Sequence, residues 1–106
     1  PLKSIEDMLS QAADLIEHGW CQGAMRTDEG VCLAYALRDA LDDGICYPES
    51  REQRIVSSPI WRCVAKEVGR NPVLWNDVPG RTKEEVVLAV RNSKRWITML
   101  EERRPQ

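Results

Sequence analysis

A chain of 106 residues, 42% apolar and 30% charged, has the length of one domain and the balance of a globular rather than a disordered protein. No apolar run nears the ~20 residues needed to cross a bilayer as a helix, and no basic-then-apolar leader opens the chain. Net charge is −2, but residues 1–50 hold three basic and ten acidic side chains, whereas residues 51–106 hold twelve basic and seven acidic.

That asymmetry implies acidic and basic helices packed beside each other within one domain. Head-to-tail self-association, including a homodimer, or a polar partner are the alternatives. Pro1 at the start fits removal of an initiator Met, and the expectation is a cytoplasmic protein with no membrane association.

The first helix is marked by Ser4 as N-cap, Asp7 near the positive end, and Ile5, Met8, Leu9, Ala12, Ala13, Leu15 and Ile16 at helical spacing. Gly19 reads as a left-handed stop. His18, in the last turn, complements the helix dipole if protonated. In "CQGAMRTDEGVC", Gly23 breaks helicity and "TDEG" reads as a turn, so Ala24–Arg26 and Val31–Cys32 form a small hairpin or an irregular loop. A second helix runs from about Val31 or Cys32 to Leu41, with Asp42 and Asp43 at its unfavourable end and Gly44 as stop.

Pro48 interrupts the next segment, and Ser50 caps a short helix through Ile55 or Val56. Ser58 and Pro59 start a third helix with a buried stripe of Ile60, Trp61, Val64, Ala65 and Val68, ending at Gly69. Arg62, Lys66 and Arg70 face the other way. The connector "NPVLWNDVPGR" carries Val73, Leu74 and Trp75 in a row, which implies that it packs down, and "VPG" reads as a type II turn. Thr82 and Glu85 form a T-x-x-E capping box for a last helix reaching about Glu102, with Val86, Ala89, Val90, Ser93, Ile97 and Leu100 on one stripe.

The expected fold is therefore mainly all-α: a single domain, 1–106, of about four helices with a short hairpin or loop excursion after the first. Residues 1–3 and 103–106 are expected to fray. With no Phe, the core is expected to take much of its bulk from Trp20, Trp61, Trp75 and Trp96. Buried indole N–H groups need partners, and Asn76 or Asp77 is placed to supply one.

Cys21, Cys32, Cys46 and Cys63 contain no C-x-x-C pair, and His18 is the single His. Buried reduced thiols are expected, with no metal and no cofactor. Cys21 between glycines, with His18 three residues away, is the nearest approach to a nucleophile and base, and the sequence does not establish their contact. No Walker or dinucleotide phosphate loop, H-E-x-x-H or G-x-S-x-G is present, so no enzyme activity is expected.

The densest cluster of recognition chemistry is Trp75–Thr82. A helix N-terminus, a planar guanidinium at Arg81 and the face of Trp75 together suit a carboxylate, a phosphate or a flat ring. The simpler reading is a self-satisfied brace. Thr82 and Glu85 already serve two N–H groups, and Asp77 repels an anion and is available to pair with Arg81. The candidate binding residues are Trp20, Gln22, Trp75, Asn76, Asp77 and Arg81, with Thr82 and Glu85 as structural caps.

Three stretches, "AADLIEHGWCQGA", "VCLAYALRDAL" and "WNDVPGRTKEEVVLAVR", carry a resemblance spanning about Ala12 to Arg91. The chain resembles an uncharacterised family of small proteins from actinobacteria and their phages, with G-W-x-Q-G and W-N-D-x-P-G-R-T signatures. Tyr35 departs from that pattern, standing where a Gly is expected in "CxxGAL". The resemblance carries no activity. It implies an actinobacterial or phage origin, and contact between the two signature loops through Gln22 and Asn76.

The functional expectation is a small helical protein-binding module with a protein partner of unknown identity. In one concrete form it is a phage-encoded modulator of a host actinobacterial protein, acting in the host cytoplasm. The alternatives are a small-ligand-binding protein or enzyme using the Trp75–Arg81 loop, and, less favoured, nucleic-acid binding through the basic second half. That basic set is Arg51, Arg54, Arg62, Lys66 and Arg70, with Arg91, Lys94 and Arg95 beside it.

Overall fold

The computed structural model describes residues 4–41 and 58–102. In chain order they form α1 (Ile5–His18), β1 (Arg26–Thr27), β2 (Gly30–Val31), α2 (Leu33–Ala40), α3 (Pro59–Val68), α4 (Pro72–Asn76), α5 (Lys83–Asn92), a 3-10 turn (Ser93–Trp96) and α6 (Ile97–Glu102). The fold is mainly helical with one two-stranded ribbon, and the described residues share one core. Expectations for Asp42–Gly44, Cys46, Pro48, the Ser50-capped helix, Arg51, Arg54 and the two chain ends lie outside the described residues, as does the side chain of Leu100. Among the described residues no helix is long and apolar enough to cross a membrane.

Helix α1 begins where Ser4 Oγ accepts the Asp7 N–H at 3.0 Å. It buries Met8, Leu9, Ala12, Ala13 and Ile16 on one face. Gly19 ends it, but not as a left-handed cap: its backbone is extended, with φ 172° and ψ 136°. Glycine is required there for close approach. A Cβ on Gly19 would lie 2.5 Å from the Glu29 carbonyl oxygen, and one on Gly30 would lie 1.9 Å from the Gly19 carbonyl carbon. The exit of α1 and the hairpin thus cross backbone on backbone.

Crossing continues as pairing. Val31 N donates to Gly19 O at 3.0 Å and Cys21 N to Val31 O at 3.1 Å, making a parallel bridge between Trp20 and Val31. The ribbon itself is antiparallel, with Arg26 opposite Val31 and Thr27 opposite Gly30. So short a ribbon is not stable alone, and this third segment anchors it.

Because Val31 belongs to β2, α2 starts later than its apolar spacing suggests. Cys32 is the N-cap, its Sγ accepting the Tyr35 N–H at 3.4 Å. Leu33, Ala34, Ala36, Leu37 and Ala40 are buried. Helix α3 follows expectation: Ser58 Oγ accepts the Trp61 N–H at 3.3 Å, Pro59 occupies the first turn, and Gly69 closes the helix in the left-handed region at φ 77°. Its inward stripe is Ile60, Trp61, Cys63 and Val64, with Ala65 and Val68 only half-buried.

The connector after α3 is a helix, not a packed-down loop. Asn71 Oδ1 accepts from Val73 N at 2.8 Å and Leu74 N at 3.3 Å, and Pro72 takes the first helical position. One helical turn then aims Pro72 and Asn76 inward, four residues apart. Val73 and Leu74 are left 37% and 59% exposed, so the expected packing fails for these two, while Trp75 does pack against the core. The following turn places Gly80 at φ 86° and returns Arg81 N to Val78 O at 3.1 Å.

The capping box opens α5. Glu85 N donates to Thr82 Oγ1, and Thr82 N donates to Glu85 Oε1, both at 3.1 Å. Val86, Val87, Ala89 and Val90 face the core. The last helix is not continuous, since the 3-10 turn separates α5 from α6. At the break Ser93 is fully buried and its hydroxyl donates back to the Val90 carbonyl, a local bond that competes with regular helix.

Aliphatic side chains fill the centre: Leu9, Ile16, Leu33, Leu37, Ile60, Val64, Val86 and Val90 are wholly enclosed. Of the tryptophans only Trp61 is buried, while Trp20, Trp75 and Trp96 pack against the core from its edge. The polar indole nitrogen explains the position. Trp20 and Trp96 sit where Asn76 Oδ1 (2.7 Å) and Glu67 Oε1 (2.9 Å) accept their N–H groups.

Acidic and basic segments meet where α1 packs on α5 and the 3-10 turn. Arg91 Nη2 lies 3.1 Å from both Asp14 Oδ1 and Glu17 Oε1. Lys83 Nζ donates to the Glu17 carbonyl at 3.3 Å, and Lys94 Nζ to Ser10 Oγ at 2.6 Å.

Candidate functional site

Asn76 closes α4 and is 1% exposed. A buried primary amide has two acceptor lone pairs and two N–H donors to satisfy. All are used. Its Oδ1 accepts from the Trp20 indole at 2.7 Å and from Leu33 N at 3.2 Å. Its Nδ2 donates to Cys21 O at 3.2 Å and to Asp77 Oδ1 at 3.0 Å. One side chain therefore ties the exit of α1, the N-terminus of α2 and the end of α4. The bond from Leu33 N also satisfies an otherwise unpaired amide at the start of α2.

Around this buried bond cluster lies a more exposed ring of contacts. Gln22 Nε2 donates to Asn76 O and Val78 O, each at 2.9 Å. Gly23 N donates to Asp77 Oδ1 at 3.0 Å. The G-W-x-Q-G and W-N-D loops are thus in direct contact through Gln22 and Asn76.

Arg81 completes the junction from the other side of α4. Its guanidinium carbon lies 4.0 Å above the Trp75 ring, its Nε donates to Trp75 O at 3.1 Å, and its Nη1 meets Glu85 Oε2 at 3.1 Å. The expected pairing of Arg81 with Asp77 is replaced: Asp77 turns to Gly23 and Asn76, and Arg81 to Trp75 and Glu85. Stacking gives the planar cation both a ring face and a backbone acceptor. Arg81, with the Thr82 N–H and hydroxyl, holds the Glu85 carboxyl below its ordinary pKa.

All six candidate residues, Trp20, Gln22, Trp75, Asn76, Asp77 and Arg81, are therefore in one junction, and Thr82 and Glu85 cap the helix beside it. At its centre Asn76 is enclosed, while Gln22 and Asp77 on its rim are exposed. A separate groove between the hairpin, α1 and α2, lined by Leu15, His18, Arg26, Glu29, Tyr35 and Asp39, includes none of the six. Arg38 and Arg26 lie over the Tyr35 ring at 4.9 and 6.0 Å.

Cys21 is not an exposed nucleophile. It is 4% exposed, its Sγ–H donates to Ala24 O at 3.4 Å, and His18 Nδ1 donates to Asp14 O at 2.8 Å. Cys32 and Cys63 are also buried and free, and burial pushes both thiols above their ordinary pKa. The basic side chains of α3, α5 and the 3-10 turn are largely engaged within the chain. Arg91 holds two α1 carboxylates, Arg95 Nε lies 2.9 Å from Glu67 Oε1, and Lys66 Nζ lies 5.4 Å from the Trp96 ring centre.

Residues outside the six candidates also shape this region. Val73, Leu74 and Met25 are exposed apolar side chains near the two loops in sequence, and Cys32 caps α2. The signal for α4 was readable: Asn-Pro is a strong cap followed by the favoured first helical residue. The chain belongs to the family of unknown function DUF6197, whose model matches residues 1–94. No curated protein and no solved structure matches it.

Proposed function

We propose that this chain is a protein-binding module that acts through surface shape. The observation that supports the reading is the exposure of Val73 and Leu74, 37% and 59%, on a helix held at both ends. Asn71 caps that helix at its start, and the Asn76 junction fixes its end. Holding a large apolar side chain in water on a rigid element is a feature of interaction surfaces, because little ordering entropy remains to be lost on docking.

A small-anion site at Trp75–Arg81 has less support. Arg81 is already stacked on Trp75, hydrogen-bonded to its carbonyl and ion-paired with Glu85. Nucleic-acid binding likewise has less support, since Arg91 and Arg95 spend their charge on Asp14, Glu17 and Glu67.

Given the resemblance in the sequence, the concrete form proposed is a phage-encoded modulator of a host actinobacterial protein. Capture of partners from an actinobacterial lysate tests it. The wild-type chain should retain a specific protein that the surface variant Leu74→Ser loses while keeping its helical spectrum. Recovery of nothing above background contradicts the proposal.

A further inference from the structure

Two sulfur atoms meet beside the hairpin, those of Cys32 and Met25, and Cys21 stands in register next to Cys32. Cys21 and Cys32 each follow one partner of the parallel Trp20–Val31 bridge. They therefore hold matching positions on adjacent segments, and matching positions on paired strands project to the same side. Cys21 N donates to Val31 O at 3.1 Å, and Cys32 N to Met25 O at 2.9 Å, drawing both segments against the Ala24–Met25 link. Cys32 Sγ lies 3.7 Å from Met25 Sδ, and Cys21 Sγ lies 3.4 Å from Ala24 O.

The surroundings suit a ligand set. Both thiols are 4% exposed, whereas Met25 is 43% exposed and opens one side of the cluster to solvent. Cys32 caps the N-terminus of α2, its Sγ accepting the Tyr35 N–H at 3.4 Å. Among the described residues no three His, Cys, Asp or Glu side chains are grouped for a metal ion. The usual four-ligand set for zinc is thus missing, while thiolate and thioether donors select a soft monovalent ion.

We propose that Cys21, Met25 and Cys32 form a three-sulfur site for Cu(I). Binding forms two copper–thiolate bonds and one copper–thioether contact, and releases the two thiol protons to solvent. The metal enters and stays as Cu(I), so no oxidant or reductant takes part, and the complex carries one negative charge.

The test is anaerobic titration of the reduced full chain with Cu(I), supplied as its acetonitrile complex, against a chromogenic Cu(I) chelator. The expected result is about one ion per chain withheld from the chelator. Cys21→Ser and Cys32→Ser should each weaken binding by more than about 100-fold and Met25→Leu by about tenfold, while Cys63→Ala leaves it unchanged. Cys32→Ser retains a capping side chain, so its loss of metal is separable from loss of fold by circular dichroism. X-ray absorption of the loaded wild-type chain should show sulfur donors alone. Complete surrender of copper to the chelator, unchanged binding by Met25→Leu, or a shell containing nitrogen overturns the proposal.

Discussion

The Trp20 indole donates to Asn76 Oδ1 at 2.7 Å across a separation of 56 residues. That bond joins the end of the first helix to the end of α4, and the same oxygen holds Leu33 N at the start of α2. Replacing Asn76 with Ala leaves the Trp20 N–H, the Leu33 N–H and the Cys21 carbonyl without this partner at once. Each unpaired buried group costs about 1–3 kcal/mol, so Asn76→Ala should destabilise the chain by at least about 3 kcal/mol. Trp20→Phe, which removes one donor and keeps most of the ring, should cost about 1 kcal/mol. Urea midpoints at constant slope check both values.

The glycines divide by what surrounds them. Gly30, at φ 151°, has no room for a side chain because a Cβ would meet Gly19 at 1.9 Å. Gly23, at φ 76°, has nothing within 4 Å. Gly23→Ala should therefore pay only the left-handed backbone cost of about 1–2 kcal/mol, whereas Gly30→Ala must separate two crossing backbones and should cost more. Thermal unfolding of the two variants gives the order. Equal losses contradict the crossing.

Thr82→Ala should cost about 1 kcal/mol through loss of the α5 cap. The Glu85 carboxyl is held below its ordinary pKa by Arg81 and Thr82, so its contribution has a defined pH dependence. For a depressed acid, the stabilisation is complete above the unfolded-state pKa and disappears as pH falls through the folded one. The stability gap between wild type and Glu85→Gln should thus be present at neutral pH and shrink on acidification below the usual Glu range. A gap that grows in acid contradicts the assignment.

Arg91 is drawn to Asp14 and Glu17, but all three side chains are well exposed. Arg91→Ala should change stability by no more than about 1 kcal/mol, and salt should reduce the difference. Denaturation at low and high ionic strength measures it. The acidic and basic halves of the chain meet there, through ion pairs that water screens.

Much of this architecture was legible in the residues because it rests on local chemistry. Ser4, Ser58 and the Thr82–Glu85 pair each cap a helix with a side chain three positions from its partner amide, and Gly69 and Gly80 take positive φ. Contact between Gln22 and Asn76 was legible through family resemblance, since no local spacing relates residues that far apart, and the bond of Trp20 to Asn76 was foreshadowed only by the need of an indole N–H for a partner. What was missed depends on tertiary geometry. Gly19 reads as a left-handed stop until the hairpin backbone is seen pressed against it. Trp75 and Asp77 compete for Arg81, and stacking wins once Gly23 has taken the Asp77 carboxylate. Val73 and Leu74 are the exception, since the local Asn71–Pro72 cap that winds them outward was there to be read.

Hydrogen exchange at the Trp20 indole N–H and the Leu33 amide measures most directly whether the Asn76 junction is a rigid brace. The expected result is that both exchange only through global unfolding, with the opening free energy of the whole chain, while the more exposed Gly23 amide exchanges faster. Exchange of the indole and Leu33 protons at the Gly23 rate would mean that the two loops part freely, and would contradict the account.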